Sequence, residues 1–447
     1  VRSLAVVLLA ACTVPSEPTG KDPTTPADTD LQVETDQMDT DDPDTDQGAD
    51  SDPGLDPPDA ANDAPLIRAL IADGGDVAQV LHTVAWSGGW PAWAGDDTWL
   101  FLAPGDDPWL LAGDFNGWAP APMVRADGFS WAEVQISEPW DVGYKLVRDV
   151  TGRQPEWLAD PWARAYRYDE NGRLSLVLPG SDRPHLERWP GLEGHGLRPR
   201  DVDVWVPAGE GPWPLLVMHD GRNLFDPEAI WGGWRLPEAL TAASGDVLVV
   251  ALDNTPDRMR EYTHARDTVD GIGTIEPLGA EYADLVALDV LPWAESTWST
   301  DGRRGVMGSS LGGLISLFIA HRHPDTFDFA ASLSGTLGWG RFGDDELTVG
   351  ELFEAEGRRD TMLYLDSGGG PGADGRCTDP DRDGWTEDDP DSNDNYCETR
   401  QMADTLAGVG YVWEEDLVHW WEEDAPHNEL AWAARVRQPI DLFLALP

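Results

Sequence analysis

Across residues 98–178 the apolar positions come in short or alternating runs, separated by clusters of Gly, Asp and Pro. A period of two broken by frequent turn residues is what half-buried strands require, so this stretch predicts a small all-β sandwich. Ordered sequence begins just upstream, at Leu66-Ile67-Arg68-Ala69-Leu70-Ile71. Residues 181–200 form a Pro- and Gly-rich junction, and beyond it the rhythm changes. Residues 202–206, 215–218 and 247–252 are compact apolar runs, and 282–293 has helical spacing. A strand leading into Gly308 follows, then a helix over 311–321, runs at 327–333 and 362–365, a helix over 399–406, a run at 411–413 and a last helix from Glu429. Buried parallel strands with crossover helices read this way, which predicts a doubly wound α/β domain.

Composition changes the picture at the N-terminal end. From Glu17 to Asp63 the chain is almost only Asp, Thr, Pro, Ala, Gln and Gly, with Lys21 as its one cation. Such a segment cannot bury enough apolar area to offset its ordering entropy and predicts a disordered, self-repelling spacer. It holds part of a formal charge of -53 over 447 residues, which makes nucleic acid and anionic surfaces poor partners, so no nucleic acid is expected. Ahead of it, Arg2, a short apolar core and Leu9-Ala10-Ala11-Cys12 resemble the signal and lipobox of bacterial lipoproteins. That resemblance implies export, lipidation at Cys12 and attachment to the cell envelope by a lipid anchor alone. The remaining cysteines, Cys377 and Cys397, are an even pair suited to a disulfide in an oxidising compartment. The domain reading is therefore 1–12 signal, 13–65 acidic linker, 66–180 β-sandwich and 181–447 doubly wound α/β domain.

The chemistry concentrates in the second domain. Gly308-Ser309-Ser310-Leu311-Gly312 is a G-x-S-x-G stretch between a predicted strand and a predicted helix. That is the context of a nucleophile elbow, where a sharp turn exposes the serine hydroxyl and the next N–H faces the reacting carbonyl oxygen. Ser310 is the candidate nucleophile and Leu311 N–H the first oxyanion donor. The turn Asp220-Gly221-Arg222-Asn223, after an early strand, offers a second through Arg222 or Gly221. In an α/β hydrolase the base follows the nucleophile and acid in chain order, and His427 sits in the loop before the final helix.

Several ordered motifs carry a family resemblance. Val249-Val250-Ala251-Leu252-Asp253-Asn254 with Arg258, Glu261 and Tyr262, then 307–314, then Leu333-Ser334-Gly335, then His427-Asn428-Glu429-Leu430-Ala431-Trp432 resemble an esterase family. It includes enterochelin, feruloyl and acetyl-xylan esterases and mycolyltransferases. The resemblance runs from about Arg200 onward and implies Ser310 as nucleophile, His427 as base and Arg258 as a substrate contact. Upstream, Gly113-Asp114-Phe115-Asn116-Gly117-Trp118, Gly143-Tyr144-Lys145-Leu146-Val147 and Trp157-Leu158-Ala159-Asp160-Pro161 resemble early-set, immunoglobulin-like glycogen-binding modules and the first domain of enterochelin esterases. In the glycogen-binding relatives Trp118, Lys145 and Trp157 would contact sugar. The alternative, favoured because the esterase relatives keep the fold without a starch ligand, is that these tryptophans close the sandwich core.

The acid departs from the family pattern. Relatives carry it a few residues after a strand ending in Asp-x-Gly, here Asp366-Ser367-Gly368, but Gly369-Gly370-Pro371-Gly372-Ala373-Asp374 displaces that position. Asp374 is the favoured acid and Asp366 the alternative. Between the cysteines, Asp379, Asp381, Asp383 and Glu387 follow a D-x-D-x-D-G spacing that resembles calcium loops, although the twelfth position is Pro390 and leaves Asp389 or Asp391 to substitute. Any calcium there is expected to be structural, and no cofactor is expected for catalysis. The whole predicts an exported serine esterase acting through an acyl-enzyme on a small-molecule or glycan ester: a catechol siderophore ester or acyl groups on carbohydrate. An acyltransferase and a non-catalytic carbohydrate-binding lipoprotein are the alternatives.

Overall fold

The computed structural model of the protein describes residues 63–148, 154–388 and 391–447. Cys12 and nearly all of the acidic linker lie outside the described residues, as do Asp389 and Pro390. Among the described residues no helix is long and apolar enough to cross a membrane.

The compact apolar runs form the centre of a large sheet. From one edge its strands are Leu417–Trp421, Met362–Ser367, Phe329–Leu333, Thr300–Ser309, Trp213–His219, Leu248–Leu252, Arg200–Val206 and His185–Leu192. The first six run parallel, and Arg200–Val206 pairs antiparallel with both its neighbours. Side chains alternate between the two faces of a strand, and here both faces are covered. Leu215, Val217, Leu248, Val250 and Val306 enter one core, whereas Leu216, Met218, Val249, Ala251 and Met307 enter the other. Helix Leu311–Arg322 is buried along its length up to His321, which is why it shows no polar stripe.

Residues 181–200 are not the linker that their composition predicts. They hold strand His185–Leu192, which pairs with Arg200–Val206 on one side and Ala165–Asp169 on the other. Pro190 and Gly191 disguise it: the register shifts between Trp189 and Leu192, and a bulge is where a strand accommodates Pro and a glycine at φ 70°. Through it the sheet continues into Ala165–Asp169, Gly172–Leu176, Gly143–Arg148, Trp109–Gly113 and Ala121–Pro122.

That extension is one layer of the predicted sandwich. The other is a four-stranded sheet in the order Ala92–Trp93, Thr98–Pro104, Phe129–Gln135, Val124–Ala126. Trp99, Phe101 and Ala103 from one layer meet Leu111, Tyr144 and Leu146 from the other. Two helices, Ala64–Asp73 and Val77–Ala85, add to the all-β expectation by packing Ile67, Leu70, Leu81 and Val84 against Leu100, Leu102 and Phe129. Trp86, just past the second helix, joins Trp189, Trp293 and Trp298 in an aromatic cluster that ties this end to the hydrolase sheet. The last strand also differs from expectation. It is Leu417–Trp421 rather than 411–413, and its edge position leaves Trp420 and Trp421 exposed.

Candidate active site

Strand Thr300–Ser309 ends at Ser310, and the buried helix leaves from it. Ser310 sits at φ 56°, ψ −125°, a conformation that a residue with a Cβ holds only when its surroundings impose it. They do so through hydrogen bonds: Ser310 N–H donates to Leu333 O at 2.9 Å, and Ser310 O accepts from Gly313 N–H at 3.0 Å and Thr336 N–H at 3.2 Å. The glycines answer a packing need. A Cβ on Gly308 would stand 2.7 Å from the Gly312 carbonyl carbon, and one on Gly313 would stand 2.5 Å from Ser332 Oγ. Ser310 Oγ lies 3.4 Å from Thr336 Oγ1. Leu311 holds the first helical position, where an N–H has no intrahelical acceptor.

The second predicted donor loop is also strained and braced. Asp220 lies at φ 62°, ψ 44° ahead of helix Gly221–Phe225. Arg258, predicted to touch substrate, is buried and grips Asp220 instead, with Nε to Oδ1 at 2.6 Å and Nη2 to Oδ2 at 2.8 Å. Asn254 Nδ2 donates to the same Oδ1 at 2.6 Å. Of the two amides proposed here, that of Arg222 already donates to Asp253 Oδ1 at 2.5 Å. Burial, with Asp203 adding to it, pushes the Asp253 carboxyl up to about 7. Gly221 allows the close approach, since a Cβ there would meet Ala251 O at 2.8 Å. Asn223 Nδ2 donates to Glu429 Oε1 at 2.9 Å, which fastens this turn to the loop of His427.

His427 lies between strand Leu417–Trp421 and helix Glu429–Arg435. Its ring packs edge-on against Trp432, with centroids 5.1 Å apart. Nδ1 lies 2.7 Å from Asp394 Oδ1, and Nε2 is buried with no protein hydrogen-bond partner among the described residues. A carboxylate can only accept, so Nδ1 carries a proton, and in the neutral ring the lone pair is then on Nε2.

The residue that orients His427 is therefore neither predicted acid. Asp374 is exposed and spends Oδ1 on Arg376 N–H at 3.1 Å. Asp366 is buried, but faces Arg435 Nη2 at 3.1 Å and Tyr364 at 3.2 Å, and burial pushes its carboxyl up to about 6. Asp394 reaches the site because the insertion folds back. Gly368 N–H donates to its Oδ2 at 2.6 Å, and His427 N–H donates to Asn393 O at 3.0 Å. Burial alone would raise the Asp394 carboxyl, yet His427, Ser334 and Arg435 together hold it below the ordinary range. The one sequence signal was Ser392-Asn393-Asp394-Asn395, a turn-forming run just ahead of Cys397 and helix Tyr396–Gly408.

The other predicted positions lie apart from this centre. Cys377 and Cys397 are bonded, with Cα atoms 5.5 Å apart. Asp379, Asp381 and Asp383 each offer an oxygen within 4.8 Å of the others, and Glu387 is not in that group. Several of their oxygens already accept backbone N–H groups, of Arg382 and Gly384 at Asp379 and of Trp385 at Asp383. On the sandwich, Trp157 is exposed and its ring lies 6.4 Å from that of Trp118, so this pair does not close the core. Lys145 is buried with Nζ on Asn171 O at 2.9 Å.

Comparison with known proteins bears on this site. The family model described as "Putative esterase" matches residues 197–437, more than half of the chain. The uncharacterized protein YbbA of Bacillus subtilis is 29% identical over 159 residues, covering 32% of this chain and 60% of YbbA, so the match spans about three fifths of that relative. Among solved structures, the enterobactin esterase FES of Shigella flexneri is similar at 16% identity and TM-score 0.42, covering 78% of this chain and 94% of that one. An IroE-like serine hydrolase from Shewanella oneidensis is similar at 16% identity and TM-score 0.44, covering 59% and 82%. Likenesses this distant assign no substrate. The match over residues 197–437 does fix the family: the chain belongs to the family described as "Putative esterase".

Proposed function

We propose that the protein cleaves carboxylic esters through an acyl-enzyme on Ser310, with His427 as base and Asp394 as the group that orients it. The observation that supports this most directly is the 2.7 Å contact from His427 Nδ1 to Asp394, which leaves a buried Nε2 unpartnered. Ser310 Oγ attacks the ester carbonyl carbon while its proton passes to Nε2. Negative charge on the carbonyl oxygen is met by Leu311 N–H and by Gly221 N–H, since Arg222 N–H is engaged by Asp253. The intermediate collapses, the alcohol leaves with the proton from Nε2, and water repeats the sequence to release the acid. No cofactor enters any step.

For the substrate, the Trp118–Trp157 pair, with Trp157 exposed and Trp118 half-buried, favours acyl groups on carbohydrate over a catechol siderophore ester, because an indole face stacks on a pyranose ring. Export with a lipid anchor at Cys12 and structural calcium at Asp379, Asp381 and Asp383 complete the reading. A panel of p-nitrophenyl acetate, feruloyl and acetyl sugars and a catechol trilactone tests it, with Ser310→Ala as the blank. Turnover of the trilactone alone would move the substrate to the siderophore class, and turnover that survives in Ser310→Ala would remove the mechanism.

A further inference from the structure

Behind Asp394 lies a buried polar cluster that the mechanism above does not use. Ser334 leaves strand Phe329–Leu333 at φ 47° and is fully buried. Its N–H donates to Asp366 O at 2.8 Å, and its carbonyl accepts from Asn395 Nδ2 at 3.1 Å. Three groups surround its hydroxyl: Trp432 Nε1 at 3.0 Å, Arg435 Nη2 at 2.9 Å and Asp394 Oδ2 at 2.6 Å.

We propose that Ser334 is a positioning residue: its hydroxyl, held by Trp432 and Arg435, fixes the Asp394 carboxylate with Oδ1 toward His427. The argument is one of valence. A hydroxyl has two lone pairs and one proton, whereas indole and guanidinium N–H groups only donate. Trp432 and Arg435 therefore fill both lone pairs, and the proton has Asp394 Oδ2 as its acceptor. Oδ2 also takes Gly368 N–H at 2.6 Å, while Oδ1 faces His427 Nδ1 at 2.7 Å and Asn395 N–H at 2.9 Å. Rotation of the carboxylate would break short bonds on both oxygens. Asp366 has a part in this. It pairs with Arg435 Nη2 at 3.1 Å, while that guanidinium stands 3.9 Å from Asp394 Oδ2, beyond hydrogen-bond reach, so the hydroxyl makes the direct bond to the acid and Arg435 adds its charge. The lowered carboxyl of Asp394, in spite of its burial, agrees with this donor set.

The proposal rests on the Ser310–His427–Asp394 reading and is tested beside it. Ser334→Gly removes the hydroxyl at a positive φ that glycine adopts freely. Its kcat on p-nitrophenyl acetate should fall about tenfold to a hundredfold, the range for losing a hydrogen bond to a charged group, with KM within about twofold. The low-field proton NMR signal of His427 Nδ1–H bonded to Asp394 should move upfield or broaden. Trp432→Phe, which empties one lone pair, should shift the same signal by less, and it carries the test if Ser334→Gly does not fold. Unchanged kcat with an unchanged signal, or a loss confined to KM, overturns the proposal. Ser310→Ala, run alongside, separates the two levels: if it keeps turnover the triad reading fails, and if it is silent while Ser334→Gly is fully active only the positioning role fails.

Discussion

Replacing Asp394 by Asn changes one oxygen to an amide nitrogen without changing volume, so its effect follows from what faces each oxygen. In one orientation the amide oxygen stays on His427, and the NH2 then faces the Ser334 hydroxyl and Gly368 N–H, both at 2.6 Å and both donors. Two hydrogen bonds to a charged group are lost there, at about 1.5–3 kcal/mol each. In the flipped orientation the oxygen satisfies Ser334 and Gly368, and the NH2 faces Asn395 N–H at 2.9 Å and His427 Nδ1 at 2.7 Å. Only one donor conflict remains, because a neutral imidazole can turn Nδ1 into an acceptor by moving its proton to Nε2. The flipped form is therefore the more stable. It is also the form without a base, since the nitrogen that should take the Ser310 proton already carries one.

The expected loss in kcat is about ten-thousandfold, the magnitude of a wrong tautomer in a serine triad, or about 5 kcal/mol of barrier. The assay is initial-rate hydrolysis of p-nitrophenyl acetate by Asp394→Asn, Asp374→Asn and Asp366→Asn, with circular dichroism to confirm the fold. Asp374→Asn should match the parent because Asp374 is exposed and bonds only within its own turn. Loss of less than about tenfold in Asp394→Asn, with a large loss in Asp374→Asn, would refute the geometry and return the acid to the glycine-rich loop.

Further outcomes are expected. A fluorophosphonate should label Ser310 alone, and peptide mapping that finds the adduct elsewhere would displace the elbow from the mechanism. His219 bonds Tyr282 at 2.9 Å, and burial pushes its imidazole down to about 3 from 6.5, so the unfolded chain binds that proton more readily. Stability from this group is full above about pH 6.5 and is lost as pH falls toward 3; urea midpoints should fall less steeply between pH 7 and 4 in His219→Asn than in the parent. Calcium at about millimolar concentration should raise the thermal midpoint without changing kcat, with magnesium doing less; identical melts in calcium and chelator would make residues 379–387 a solvated acidic loop.

The elbow turn and the position of His427 were legible because local geometry writes them into the chain. Gly308 stands where a Cβ would strike the backbone of Gly312, and Gly313, just past the motif, where one would strike Ser332, so glycines mark the turn in the sequence. His427 was legible from its place ahead of the last helix. Arg258 could be found, but its role could not, because its partner Asp220 is 38 positions away and turns a candidate substrate cation into a buried brace. Strand His185–Leu192 was hidden because Pro190 and Gly191, residues that usually end strands, occupy a bulge that only its two neighbours reveal. The acid was marked only by the turn-forming run at 392–395, too weak a signal to single it out, because long-range pairing selects it: an Asp-rich segment offers many carboxylates, and nothing in their spacing marks the one that folds back.

An insertion is an unusual place for a group that must be set to within about 0.5 Å, since a long loop adds ways to miss. Two features remove that freedom. The bond between Cys377 and Cys397, at a sequence separation of 20, closes the segment that carries both the acidic turn and Asp394, and so shortens the free loop on which the acid is held. The segments around the acid are then joined to the loop of the base by backbone hydrogen bonds. Gly369 N–H donates to Ala425 O at 2.9 Å, Asp424 N–H to Gly369 O at 3.0 Å, and His427 N–H to Asn393 O at 3.0 Å. Acid and base are thus registered against each other by main chain, which holds the 2.7 Å contact between Asp394 and His427.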